Sequence, residues 1–313
     1  MKIRRVNVSS VQSFINCPFR WWCEYVMNRV PVATAPALDT GRVLHRIFER
    51  HFRDGEALID ASRAECASFE ALIPTEHPSA RASAEKALKT MRDLEEALPL
   101  WVDDFKADKT LAVEEPFELP DTRLKEVVWV MRPDVEITKS RYLYHRQNRG
   151  LAPSMNFAQY TRLMNWHFHE HLYAEGLIEK WIKSGRLRGF KYGGTQVNLI
   201  RKLQYRTNAG KKNEATKTAA EMFYQQTFFI DVRSGRHKAV MAALRYWTSR
   251  MVEALEQWEE DGIMPAPNPK QNGGFSGSSE DAHFKVLMGE VKLSDNEYFK
   301  DRLDPYAQPA EEQ

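Results

Sequence analysis

Val127-Val128-Trp129-Val130-Met131-Arg132-Pro133-Asp134-Val135-Glu136-Ile137-Thr138-Lys139-Ser140-Arg141-Tyr142-Leu143-Tyr144-His145-Arg146 is the stretch on which an architecture can be built. It holds three short β-prone runs, 127–131, 135–137 and 142–144, separated by Pro, Asp, Lys and Ser, and reads as part of a small meander of strands. Period-two alternation puts Asp134 and Glu136 on one strand face and Val135 and Ile137 on the other. The short gap around Lys139 lets the next strand fold back as a hairpin. Tyr144 and Arg146 share a face of that strand, and this pairing would set them beside Asp134 and Glu136.

Upstream the period changes to helical. Ser9 and Ser10 are N-cap candidates for a helix carrying Val11, Phe14, Ile15, Phe19 and Trp22, with a kink or restart at Pro18. Pro31 to Pro36 read as a linker. Asp39 or Thr40 would cap a second helix over 41–52, and residues 79–107 read as helix with a break at Pro99. The run 111–119 opens the meander. Downstream, helix is expected over 157–184 with Gly176 as an interruption, strands over 194–203 and 222–232, and a strong helix over 235–260. From Pro265 the chain turns Pro/Gly/Ser-rich and loses regular pattern. The fold class expected is α/β: a small mixed central sheet flanked by helices, with a helical N-terminal segment over 1–109, an α/β core over 110–264 and an irregular tail over 265–313.

The 313 residues carry 45 Lys plus Arg against 43 Asp plus Glu, so no global charge declares a nucleic-acid or membrane partner. At 42% hydrophobic the chain can bury a core. No stretch of about 18 apolar residues is present to span a membrane, and the N-terminus lacks the apolar run of a signal peptide. Three cysteines, Cys17, Cys23 and Cys66, make no disulfide framework and fit a reducing, cytoplasmic compartment.

Four features carry chemistry. In Gly41-x-x-x-His45-x-x-x-Glu49 the imidazole and carboxylate lie four apart on a helix, so they project from one face and could meet one metal, or form a part-buried His beside a solvated Glu. Asp134 and Glu136 are either paired ligands for Mg²⁺ or the polar face of a half-buried strand. Arg146 near two carboxylates is a phosphate clamp or a structural ion pair. From Lys180 to Lys212 there are ten Lys/Arg and no acid, interleaved with Trp181, Phe190, Tyr192 and Tyr205. Cations track phosphates and aromatic faces stack bases, whereas the bland reading is a solvated basic face. Arg201, Lys202, Arg206, Lys211 and Lys212 are the candidate DNA-backbone contacts.

Taken in order, these segments resemble the RecB-like branch of the PD-(D/E)XK nuclease superfamily, which includes the CRISPR-associated exonucleases. Ser9-Ser10-Val11-x-x-Phe14-x-x-Cys17-Pro18-x-x-Trp21 is similar to that branch's opening helix, and Gly41-x-x-x-His45-x-x-x-Glu49 to the helix bearing its metal-binding histidine. Ala112-Val113-Glu114-x-x-Phe117 is similar to the strand before the first acidic motif, and Arg132-Pro133-Asp134 to the strand of the first metal aspartate. The resemblance implies a restriction-endonuclease-like core, His45 and Asp134 as ligands of Mg²⁺ or Mn²⁺, and DNA as partner.

The family's second motif, Asp/Glu-x-Lys, falls on Tyr144 and Arg146, so both catalytic positions are altered. Tyrosine is neutral near pH 7, and arginine cannot act as a base. Glu136 is the candidate substitute carboxylate. The family's Gln-x-x-x-Tyr becomes His169-x-x-x-Tyr173. Cys17 has no cysteine after Cys66 to join it, so no iron–sulfur cluster is expected. The resemblance thus implies metal-dependent phosphodiester hydrolysis of an exonuclease kind. The alternative is a pseudonuclease serving as a DNA-binding or scaffolding subunit of a recombination, replication or defence complex.

Overall fold

Apolar residues at helical spacing build the element that later presents His45. Helix α3 (Pro36–Asp54) buries Val43, Leu44, Ile47 and Phe48 along one stripe. That stripe packs on Leu58, Ala61 and Cys66 of α4 (Leu58–Leu72) and on Leu88, Met91 and Leu94 of α5 (Pro78–Glu95), with Trp101 and Ile200 completing the cluster. Each such large apolar side chain contributes about 1.5–3 kcal/mol on burial. Helix α3 starts before the expected cap at Asp39 or Thr40. The helix expected over 79–107 stops at Glu95, and Pro99 lies in a short 3-10 turn, Leu98–Leu100.

The computed structural model describes residues 2–32, 36–76, 78–95, 97–151, 157–201, 223–266, 282–287 and 289–302. They fall into two compact units, one of Thr34–Glu115 and Pro133–Lys238, the other of Met1–Ala33, Pro116–Arg132 and Ala239–Gln313.

The first of these units holds α3, α4 and α5 and a five-stranded mixed sheet. Its strands are β3 (Lys109–Val113), β6 (Val135–Lys139), β7 (Tyr142–Leu151), β8 (Lys191–Arg201) and β9 (Phe223–Phe228), in the order β3-β6-β7-β8-β9. Only β7 and β8 run parallel, joined by a crossover through α6 (Phe157–Met164), α7 (Phe168–Leu177) and a π-turn, Ile178–Lys183. Gly176 is buried within α7; the break in the expected 157–184 helix comes at residues 165–167 instead.

The other unit contains β1 (Arg4–Val6), α1 (Val8–Asn16), α2 (Pro18–Trp21), β2 (Arg29–Pro31), β4 (Phe117–Pro120), β5 (Val127–Met131), most of α8 (Gly235–Asp261), α9 (Ala282–Leu287) and β10 (Phe299–Asp301). Asn7, not Ser9 or Ser10, caps α1 by accepting from Ser10 N, and α2 restarts at Pro18 as expected of a proline at a helix start. Here β5 is flanked by β1, parallel, and β4, antiparallel. The buried Asp121 carboxylate accepts from the Trp129 indole and from Arg245, both at 2.8 Å.

The α/β class with a mixed sheet flanked by helices is as the sequence led one to expect. The single meander is not. The run 127–131 joins one sheet while 135–139 joins another, because Pro133 supplies no backbone donor and the chain bends at Asp134 between them.

Candidate metal centre

The hairpin register decides which side chains meet. Glu136 pairs with His145, while Val135 pairs with Arg146 and Ile137 with Tyr144. Directly paired residues share a sheet face. Arg146 and Tyr144 therefore lie with Val135 and Ile137, on the face that α3 covers, and Glu136 lies on the opposite face with His145.

Asp134 sits one residue ahead of β6, and its carboxylate Oδ2 accepts the backbone N–H of Asn148 at 2.7 Å. The same oxygen is 3.7 Å from His45 Nδ1, which is 3.3 Å from Glu114 Oε1. His45, Glu114 and Asp134 each present a ligand atom within 4.8 Å of the others. Glu114 N donates to the Asp134 carbonyl at 2.9 Å, so the two carboxylates are tied together through the backbone. Glu114 also takes a left-handed φ of 51°, a conformation costly for a side chain with a Cβ and found where surrounding structure imposes it. Helix α3 is anchored in turn: Arg53 donates to the Val113 carbonyl at 2.8 Å, next to Glu114.

Two carboxylates and one imidazole make a donor set suited to a divalent cation of the Mg²⁺, Mn²⁺ type, with oxygen ligands and room for water. The His45 side chain keeps 35% exposure, so one side of the group is open to solvent. The Asp134 charge, opposed by burial and aided by the Glu114 hydrogen bond, raises the His45 imidazole above its ordinary value. Three ligating groups within one small volume repel or share protons unless a cation lies among them.

Other expected site residues are placed elsewhere. Glu49 pairs with Arg53 at 2.6 Å and does not join His45. Glu136 is 1% exposed and is held by Lys180 Nζ at 2.9 Å and by the Trp181 indole, so its carboxylate does not stand beside Asp134. The expected shared face of Asp134 and Glu136 fails because the alternation is interrupted at the bend. Arg146 lies over the Phe52 ring at 4.8 Å and forms a two-pronged pair with Asp103, at 2.8 and 3.0 Å. Tyr144 packs edge-on against Phe105, and burial pushes its phenol up, so it supplies no negative charge. Arg201 is stacked over Phe157 at 4.8 Å. Lys202, Arg206, Lys211 and Lys212 lie outside the described residues.

Two residues at the cluster, Glu114 and Arg149, are not among the ligands or phosphate contacts expected from the sequence. Glu114 stands within the expected run 111–119, in the motif Ala112-Val113-Glu114-x-x-Phe117, with no ligand role attached to it; the acidic pair Glu114-Glu115 before Pro116 is the signal that points to one. Arg149 lies within electrostatic reach of both His45 and Asp134. Burial works to lower its guanidinium, and Tyr160, Asp134 and Glu170 outweigh that.

On the Glu136 face, His145 Nε2 and the Thr195 hydroxyl both reach Glu170 Oε2, at 3.0 and 2.7 Å, and Tyr192 Oη is 2.9 Å from His145 Nδ1. Burial alone would raise Glu170, but the His145 and Thr195 hydrogen bonds hold it at about 2. His169 and Tyr173 meet edge to face on α7, at 5.9 Å, and Tyr173 also contacts His145.

Residues 5–138 match the family model of the PD-(D/E)XK nuclease superfamily. The matched stretch contains His45, Glu114 and Asp134 and ends before β7. The helix-flanked mixed sheet agrees with the restriction-endonuclease-like core of that superfamily. No curated protein sequence matches the chain significantly.

Proposed function

We propose that this protein is a metal-dependent deoxyribonuclease that hydrolyses phosphodiester bonds, with His45, Glu114 and Asp134 holding Mg²⁺ or Mn²⁺. The observation that carries the reading is the convergence of these three side chains within the stretch that resembles the nuclease superfamily. Such a cation, when bound, supplies a water of lowered pKa and neutralises charge on the scissile phosphate. Glu114 takes the role of substitute carboxylate expected of Glu136. The Asn148 amide fixes the Asp134 carboxylate, and Arg149 supplies the positive charge for the phosphate that Arg146, committed to Asp103, does not. The RecB-like, exonuclease-type assignment belongs to this proposal, as do Arg201, Lys202, Arg206, Lys211 and Lys212 as backbone contacts.

A second reading, a pseudonuclease that binds or scaffolds DNA, is favoured by one observation. The strand residue whose backbone touches Asp134 is Asn148, a neutral amide whose Oδ1 accepts from Asn198 at 2.9 Å. No second-motif carboxylate is contributed there.

Cleavage of end-labelled single- and double-stranded DNA with Mg²⁺ or Mn²⁺ separates the two. Asp134→Ala, His45→Ala and Glu114→Gln are each expected to lower cleavage by roughly a hundredfold or more, since ligand geometry governs such sites. Cleavage that persists in EDTA or in Asp134→Ala would refute the metal centre. DNA binding with no cleavage under either cation would establish the pseudonuclease.

A further inference from the structure

Within the unit that holds the cluster, Trp166 and Phe229 keep 60% and 66% of their surface exposed, and Leu163 nearby in sequence keeps 51%. Exposed aromatic rings gain meaning as binding surface where they border a cavity that also carries polar groups. Phe229 lines a cavity of about 300 Å³ together with His171, Asp231, Ser234 and Arg236. The Arg236 guanidinium, on the cavity wall, also stands 5.5 Å from the centre of the Trp166 ring, so that ring borders the cavity through Arg236 and through its chain neighbour Asn165, which lines it.

The floor is polar and fixed in orientation. His171 Nε2 donates to the Asn165 carbonyl at 3.0 Å, and its Nδ1 lies 2.9 Å from His237 Nδ1. His237 Nε2 is 2.9 Å from Glu175 Oε1. Ser234 Oγ donates to the Asp231 carbonyl at 2.7 Å and accepts from His237 N at 3.1 Å, while Asp231 Oδ1 accepts from Arg233 N at 2.9 Å.

We propose that Trp166, Phe229 and Arg236 form a subsite for one unpaired nucleotide of a single-stranded nucleic acid. The rings would stack on the base, Arg236 would meet the phosphate, and the polar floor would face the base edge. The choice of a nucleic acid over an apolar peptide rests on the nuclease reading and on the composition of the site. A nucleotide has a flat π-face and an anionic phosphate, which suit two aromatic rings and a guanidinium. An apolar peptide would offer the Arg236 guanidinium no anionic partner. The volume lies at the small end of ligand pockets, on the scale of a single nucleotide and not of a duplex. Paired bases stay stacked inside a duplex, so this subsite selects single strands or frayed ends.

The test is a binding titration of the full-length protein in EDTA, followed by anisotropy of a labelled, unstructured DNA strand of about 15 nucleotides and of a blunt hairpin duplex. Trp166→Ala and Phe229→Ala are each expected to weaken single-strand binding roughly tenfold or more, with duplex binding unchanged. Trp166→Phe should retain most of the affinity. Thermal melting of each variant confirms folding; both aromatics are exposed, so their loss leaves the core intact. Unchanged single-strand affinity, equal loss on the duplex, or no single-strand binding by the unaltered protein would overturn the subsite. The titration contains no metal, so these outcomes are independent of the cleavage assay on His45, Glu114 and Asp134.

Discussion

Arg146 and Arg149 stand three residues apart on β7 and face opposite ways, and their surroundings separate their roles. Arg146 is 1% exposed, between Phe52 and Phe105, with both prongs on Asp103. Removing one partner of a buried pair is destabilising because the other charge is left uncompensated. The Asp103 side chain keeps 28% exposure and can recover some hydration, so Arg146→Ala is expected to cost roughly 2–3 kcal/mol, below the upper range for such pairs. Arg149 is partly buried within reach of the Asp134 field. Arg149→Ala is expected to lower cleavage by at least roughly tenfold while leaving Mn²⁺ binding in place. Urea unfolding and cleavage measured on the two variants check both statements. Full cleavage by Arg149→Ala would remove it from the proposed phosphate site.

At the scale of elements, the join of β7 to β8 is the most constrained part of the sheet. The register slips by one between Leu143↔Tyr192 and Tyr144↔Gly194, leaving Gly193 as a bulge. A side chain at Gly193 would meet the Tyr144 ring at 2.4 Å, so the ring occupies space that only glycine leaves. Gly194 has a φ of +115°, and a Cβ there would come within 2.0 Å of the Phe228 carbonyl oxygen. That oxygen belongs to β9, the neighbouring strand, and cannot swing aside. Gly194→Ala is therefore expected to destabilise the fold by roughly 3 kcal/mol or more, from backbone strain and overpacking together. A lowered urea midpoint is the readout; an unchanged midpoint would mean the bulge is not formed. The same sheet positions the His45, Glu114 and Asp134 cluster, since β6 and β7 set Asp134 and Asn148 against each other while α3, pinned by Arg53, delivers His45.

Whole-molecule stability should fall in acid, and in a defined window. Burial, reinforced by the positive charge of Arg149, holds the His169 imidazole down to about 3. Below its unfolded value of about 6.5 the unfolded chain takes up a proton that the folded chain refuses. The folded state is thus favoured fully above that pH and progressively less as pH drops toward 3. Glu170, held at about 2, adds a second loss that begins only below about 4.5. The urea midpoint is expected to decline between about pH 6.5 and 4, and His169→Gln should flatten that part of the profile. An identical slope in His169→Gln would show that another group governs it. Among the described residues no helix is long and apolar enough to cross a membrane.

The sequence alone determined the local layer of this protein. The helix over 41–52, the strand runs and the α/β class were legible because each rests on spacing within one segment, whereas His45 and Asp134 as a candidate ligand pair came from the family resemblance. What lay beyond it depended on pairing between segments. Whether Arg146 faces Asp134 or Asp103 turns on a one-residue register, which flips every side chain of a strand to the other face. Period two placed Glu136 with Asp134, but the bend after Pro133 breaks that alternation, and Lys180 claims the Glu136 carboxylate from 44 residues away. Glu114 joins His45 across a separation of 69 residues, through a left-handed turn that no local pattern announces. The cluster of one imidazole and two carboxylates is thus a product of tertiary structure, because only the packing of α3 against β3 and β7, with β6 paired between those two strands, brings ligand atoms from three separate segments within 4.8 Å of one another.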